Sequence, residues 1–258
     1  MNKLIALLTI ILCCNLPISA QESEEMPLGM TMPIDSLLND WKTRTNLIYD
    51  TDCTNSAVIP QFSDSIYIDR LQRMPTIMEM PYNAIVREYI DRYAVKLRNQ
   101  VSVMLAANNF YMPLFEEALD AYDLPLELKY LPIIESALKP TARSRAGALG
   151  LWQFMLKTGR LYGLESNSLV DDRLDPIKAT WAAARYLREM YDIYQDWHLV
   201  IAAYNCGPGN VNKAIRRAGG ATDYWSIYNY LPRETRGYVP AFIAANYAYA
   251  YHKAHNIT

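Results

Sequence analysis

Leu131 to Met155 reads LPIIESALKPTARSRAGALGLWQFM. One carboxylate, Glu135, stands between an apolar run (Leu131, Ile133, Ile134) and Ala137-Leu138. A polar, basic connector follows, and then a glycine-containing segment that ends in Trp152-Gln153-Phe154. Acidic side chains are almost never fully buried unless paired. Glu135 is therefore one of two things. It is a helix-end residue that caps or pairs with Arg143 or Arg145, or it is a carboxyl kept in an apolar wall that raises its pKa.

Upstream, Asp123-Leu124-Pro125 is a helix entry. Leu126, Tyr130 and Ile134 then fall four apart, in a helix that Glu135 closes and Pro132 kinks or restarts. Before that, Ile85, Tyr89, Tyr93 and Leu97 make a stripe of helical period, widened by Val86 and Ile90. Two or three helices of ordinary length are expected from Asn83 to Tyr122, with Pro113 in a first turn. Downstream, Tyr162-Gly163-Leu164 ends a short helix, and Leu169 to Arg173 is a polar connector. Asp175-Pro176 then pairs a cap oxygen with a proline at the first helical position. The helix it opens is expected to carry Ile177, Trp181, Ala184, Leu187 and Tyr191 along one face, with alanines at 179, 182 and 183 allowing close approach. Asp196 is the cap of the next helix. Gly207-Pro208-Gly209 launches a basic helix that stops at Gly219-Gly220. A last helix is expected to turn Val239, Phe242, Ile243, Ala245, Asn246 and Tyr249 inward. No stretch alternates with period two and no repeat is visible. The expected fold is all-α, with room for a very small hairpin at most.

At 258 residues, 51% hydrophobic and 20% charged, the chain is long enough for one sizeable core and a small accessory segment. A net charge of -2 gives no argument for nucleic acid or an anionic membrane as partner. The excess of 20 tyrosines over 5 phenylalanines suits surfaces where aromatic faces meet polar groups, whether a carbohydrate or peptide groove or a wet helical core. His198, His252 and His255 do not cluster with acids, and the cysteines lack metal-ligand spacing, so neither a metal nor a cofactor is expected.

Residues 1–20 read as a secretory signal: Lys3, an apolar run from Leu4 to Cys14, and Pro17-Ile18-Ser19-Ala20 before Gln21. That run is too short to span a bilayer, and no integral span is expected after its removal. Cys13 and Cys14 leave a lipid anchor open. Residues 21–80, with prolines at 27, 33, 60 and 75 and Pro81 just beyond, are expected to form a loosely structured arm, with Val58 to Leu71 extended. Export permits a disulfide between Cys53 and Cys206 without requiring one.

Read as chemistry, Glu135 is the one candidate acid. Gln153 can donate and accept toward sugar amides, or lie on a helix surface between two core aromatics. Tyr204 and Asn205 sit where a helix meets the Gly207 break, and either face a cleft or cap the helix. Cys206 reads as buried filler. In order along the chain stand Glu135-Ser136, Gly150-Leu151-Trp152-Gln153, Ala203-Tyr204-Asn205 with Gly207 and Gly209 behind, and Tyr238 in LPRETRGYVP. Residues 81–258 thereby resemble the lytic transglycosylases with a goose-type lysozyme-like catalytic domain, most of all the membrane-bound D type. Two features depart from that pattern: Thr258 follows without the small wall-binding repeats usual in the D type, and Cys206 stands where serine is common.

The resemblance implies a lysozyme-like helical domain and a peptidoglycan-cleaving enzyme of the cell envelope or periplasm. Glycan strands are the implied partner and Glu135 the implied catalytic acid and base. Ser136 is implied to orient the carboxylate, and Gln153, Tyr204, Asn205 and Tyr238 to hold the substrate. Ordinary glycosidases need two carboxyls about 5–9.5 Å apart. Glu165, Asp171, Asp172 and Asp175 are the second acids that a lysozyme-like hydrolase would use. A wall-binding protein without turnover is the remaining alternative.

Overall fold

The last long helix, which is apolar on every side, is the element around which the others are laid. The computed structural model describes residues 58–258. In chain order its helices are α1 (Asp64–Gln72), α2 (Ala84–Asp91), α3 (Arg98–Ala121), α4 (Leu131–Ser136), α5 (Leu156–Leu161), α6 (Pro176–Tyr194), α7 (Trp197–Cys206), α8 (Pro208–Arg217), α9 (Tyr224–Ile227) and α10 (Tyr238–Tyr251). Every residue of α10 from Tyr238 to Tyr249 is buried, as a helix apolar all round must be. Its alanines allow close approach, and α2, α4 and α7 pack against it. Strand pairing among the described residues is confined to isolated bridges, two of them in the 143–154 segment. The fold is all-α, as the period-four stripes require.

Caps act where the sequence signals them. The Asp175 carboxylate accepts from the backbone N–H groups of Ile177 and Lys178, and that of Asp196 from Leu199. Gly163, Gly219 and Gly220 all have positive φ, just beyond the ends of α5 and α8. Three expectations are corrected. Asp64–Gln72 lies in α1 rather than extended, because no proline interrupts it and Tyr67 and Leu71 share one buried face. Pro113 lies in the interior of the 24-residue α3 rather than in a first turn. Pro113 and Asn109 are both exposed, so water can satisfy the carbonyl that proline leaves without a partner. In α6 Ala184 and Leu187 are buried as expected, with Trp181 and Tyr191 half-buried against the core. Ile177, however, is 59% exposed, and Ala179, Thr180, Ala182, Ala183, Tyr186 and Met190 complete the buried face. The small residues mark the contact face there, because they let α3 and α7 come close.

Between α2 and α3 the chain makes one π turn, Arg92–Lys96, closed by the Leu97 N–H on the Arg92 carbonyl at 2.8 Å. Helix α1 and the residues before it are stitched to residues 247–256. Arg70 donates to the Tyr247 hydroxyl at 2.8 Å, the Tyr251 hydroxyl donates to the Arg70 carbonyl at 2.8 Å, and Asn256 reaches the Val58 carbonyl at 3.2 Å. Arg98 donates to the carbonyls of His255 and Asn256. The expected signal sequence, the lipid-anchor cysteines, Cys53 and the arm before residue 58 lie outside the described residues.

Candidate active site

Helix α4 is six residues long and entirely buried, and Glu135 is in its last turn. Pro132 in its first turn costs no intrahelical bond, so the proline restarts the chain after a 3-10 turn at Leu126–Tyr130. Ala137 and Leu138 both have positive φ (50° and 61°) and end the helix immediately. Glu135 is only 4% exposed. Burial pushes its pKa up to about 8, and the hydrogen bond from the Tyr238 hydroxyl pulls the other way. No cation acts on it, so the ion pair with Arg143 or Arg145 is not formed. Tyr204 is close enough for its phenol to be held well above its usual pKa, by burial first and then by Glu135. The acid thus has two phenols in its surroundings, Tyr238 and Tyr204, both held well above their usual pKa by burial first and then by Glu135.

Ser136, fully buried, does not orient the carboxylate as expected. Its hydroxyl accompanies two carbonyls instead, Pro132 at 3.0 Å and Leu151 at 2.9 Å. It ties the acid's helix to the loop that carries Gln153. Tyr238 is also fully buried; its partner is Glu135, so it addresses the acid where a substrate contact was expected.

That loop is built from backbone contacts. Ser144 N–H meets the Ala148 carbonyl, Leu149 and Phe154 exchange two hydrogen bonds, and Gly150 N–H meets the Ala142 carbonyl at 2.9 Å. At Gly150 (φ +79°) an added Cβ would lie 1.9 Å from the Arg173 carbonyl oxygen, so only glycine fits. Trp152, fully buried, donates its indole N–H to the Thr180 hydroxyl at 2.9 Å. Gln153 has φ +48°. Its amide NH2 is spent on the carbonyls of Gly150 (2.8 Å) and Ala142 (3.2 Å), which leaves its buried oxygen without a protein partner. A buried acceptor in that state costs roughly 1–3 kcal/mol until something donates to it. Of the two roles expected of Gln153, its donors are engaged within the protein and its acceptor is left to offer.

On the last turn of α7 the Tyr204 hydroxyl donates to the Trp152 carbonyl at 2.7 Å, and its ring packs against Phe154 and Tyr186. Asn205 is half-buried beside it. Cys206 is half-buried as well, not wholly buried filler. The acids weighed as second carboxyls are all engaged elsewhere. Asp171 is in a bidentate pair with Arg173, which holds it below the usual carboxylate range. Asp172 accepts from Lys178 and from the Glu165 N–H, and is held low by Lys178 first. Glu165 accepts from Asn167, and Asp175 caps α6.

Arg173 was not anticipated as part of this site. It is buried, and donates to the carbonyls of Gly147 (2.9 Å) and Phe154 (3.2 Å) as well as to Asp171. Its only sequence signal is the Asp171-x-Arg173 spacing inside a polar connector, which is too common to single out.

Residues 113–227 match the family described as Transglycosylase SLT domain. The membrane-bound lytic murein transglycosylase D of Escherichia coli (strain K12) is 40% identical over 174 residues, covering 65% of this chain and 37% of that protein. A peptidoglycan transglycosylase of Escherichia phage T7 is 37% identical over 123 residues, 45% of this chain and 9% of the relative. The soluble lytic murein transglycosylase of Escherichia coli (strain K12) is 32% identical over 123 residues, 45% of this chain and 19% of the relative. The chain spans well under two thirds of each of these relatives.

Proposed function

We propose that this protein, whose residues 113–227 match the family described as Transglycosylase SLT domain, is a peptidoglycan lytic transglycosylase that cleaves the β-1,4 bond from N-acetylmuramic acid to N-acetylglucosamine without water. The observation that carries this reading is a single carboxyl, Glu135, buried and uncharged near neutral pH, with every other candidate acid engaged elsewhere. Protonated Glu135 gives its proton to the glycosidic oxygen as the bond to the muramyl anomeric carbon breaks. The substrate's own N-acetyl group holds the oxocarbenium-like centre. Glu135, now a carboxylate, takes the proton of the muramyl C6 hydroxyl, and that oxygen closes the 1,6-anhydro ring. A general acid of this kind needs a pKa near the working pH.

Tyr204, Asn205 and the Gln153 oxygen face the substrate in this reading, and Tyr238 and Ser136 act from behind. The reading extends to an exported protein of the periplasm or cell envelope, soluble or lipid-anchored. No helix among the described residues is long and apolar enough to cross a membrane. Mass spectrometry of digested peptidoglycan tests the proposal: the muropeptides are expected to end in anhydro-muramyl residues, lighter by one water than a reducing end. Products made only of the heavier species would make the enzyme a hydrolase. No released product, with peptidoglycan still bound, would make it a wall-binding protein.

The pH profile follows from the same carboxyl. Only protonated Glu135 can donate, so turnover is expected to fall as pH rises through about 8. Tyr238→Phe removes the hydrogen bond that lowers this pKa, so the falling limb should move to higher pH. A limb that stays in place or moves down in a folded Tyr238→Phe protein contradicts the assignment.

A further inference from the structure

We infer that Arg173 is a positioning residue for glycan binding, holding the 147–154 loop in the shape that offers the Gln153 amide oxygen to a hydrogen-bond donor of the bound strand. The inference rests on the transglycosylase reading for the identity of the strand, and on the geometry of this chain for the rest.

One nitrogen of the guanidinium, Nη1, donates to Gly147 and Phe154, which are the two ends of the loop in sequence. Its other edge is locked on Asp171 by two bonds, Nε to Oδ1 at 2.9 Å and Nη2 to Oδ2 at 2.7 Å. The backbone of the same residue lies under Gly150, its carbonyl filling the space a side chain there would take. Its aliphatic stem lies against Gly159, 3.2 Å from where that residue's Cβ would be. Arg173 thus meets the loop at its start, its middle and its end. Between these points Gln153 adopts its left-handed backbone and spends its NH2 on Gly150 and Ala142. Two carbonyl acceptors identify that edge of the amide as the NH2, and the oxygen is left over. A planar fork is what this arrangement uses; a lysine would bring the charge but not the paired bonds.

Arg173 has no part in the environment that sets the Glu135 pKa, which is burial and Tyr238. Its effect is therefore expected in substrate affinity and not in proton transfer. The test is Arg173→Lys in the full chain, with turnover measured on soluble, uncrosslinked peptidoglycan strands and binding measured by co-sedimentation with insoluble peptidoglycan. KM and the binding constant should weaken by about tenfold, the scale of one lost charge-assisted hydrogen bond. The falling limb near pH 8 should stay where it is. Adding Gln153→Ala to Arg173→Lys should cost much less than Gln153→Ala costs alone, because one acts through the other. Should Arg173→Lys fail to fold, Asp171→Asn loosens the fork with the arginine in place, and a smaller rise in KM is expected. Unchanged KM, a moved pH limb, or fully additive losses would overturn the inference. A wild-type protein that binds peptidoglycan without releasing anhydro products defeats the transglycosylase reading alone, and the binding constants then judge Arg173.

Discussion

Glu135→Gln is expected to lose roughly 10²-fold or more in turnover while still binding peptidoglycan, as follows when a general acid is removed. Glutamine keeps the size of the side chain, and its amide oxygen can still accept from Tyr238. It cannot give the glycosidic oxygen a proton. The same variant should report on stability with a defined sign. The folded-state pKa of Glu135 is raised, to about 8 from an ordinary value of 4.5. The stability this group contributes is thus fully present below its unfolded pKa and is lost as pH rises through about 8. Glu135→Gln should therefore melt close to wild type at pH 5 and above it at pH 9. Undiminished turnover would remove Glu135 from the chemistry. A variant that melts below wild type at pH 9 would contradict the raised pKa.

Gly150→Ala carries the second large effect. A methyl group there meets the Arg173 carbonyl at 1.9 Å, backbone against backbone, at a φ of +79°. Neither chain can yield without opening the loop that holds Gln153. Overpacking together with a left-handed alanine is expected to cost roughly 2–4 kcal/mol, which lowers the melting temperature by about 5–15 °C. Activity should fall with it, because Leu151 is also the carbonyl to which Ser136 anchors the acid's helix. Gly209→Ala is the control: nothing lies within 4 Å of its added Cβ. A Gly150→Ala protein that melts within about 2 °C of wild type would mean that the loop is not clamped as described.

Much of this architecture was legible beforehand, for reasons that can be traced residue by residue. Asp175-Pro176 and Asp196 start helices through interactions within one turn, so local sequence carries them. The last helix was recognisable because its apolar residues leave no polar face. Pro113 misled because its cost depends on whether the carbonyl of residue 109 is wet, which only the tertiary structure shows. On α6 the alanines and Leu187 were legible, but Ile177 was not: it shares their helical period, yet it stands in the first turn, where period alone does not tell how far the neighbouring helices reach. Within the site, Glu135 was conspicuous as a lone acid in an apolar run. Tyr238 was picked out, but its partner was not: a phenol that reads a sugar and a phenol that reads an acid 103 residues away look the same in sequence. Arg173 had only its spacing from Asp171 as a signal, since its bonds to the loop go to backbone carbonyls that any residue would supply.

The stitching of α1 and the residues before it to residues 247–256 has a consequence for how the molecule is made. Arg70 and its partners Tyr247 and Tyr251 are separated by 177 and 181 residues, and Asn256 meets Val58 across 198. Contacts of such sequence separation form late and slow the completion of folding, because the loop between them must close first. Helix α10, which the rest of the core surrounds, is also the last of the described α-helices to be synthesised. A nascent chain therefore lacks both this central helix and the clasp of α1 until residues 238–256 have been made. Until then the domain cannot complete its core, and a domain without its core is one that can still be threaded through a narrow channel.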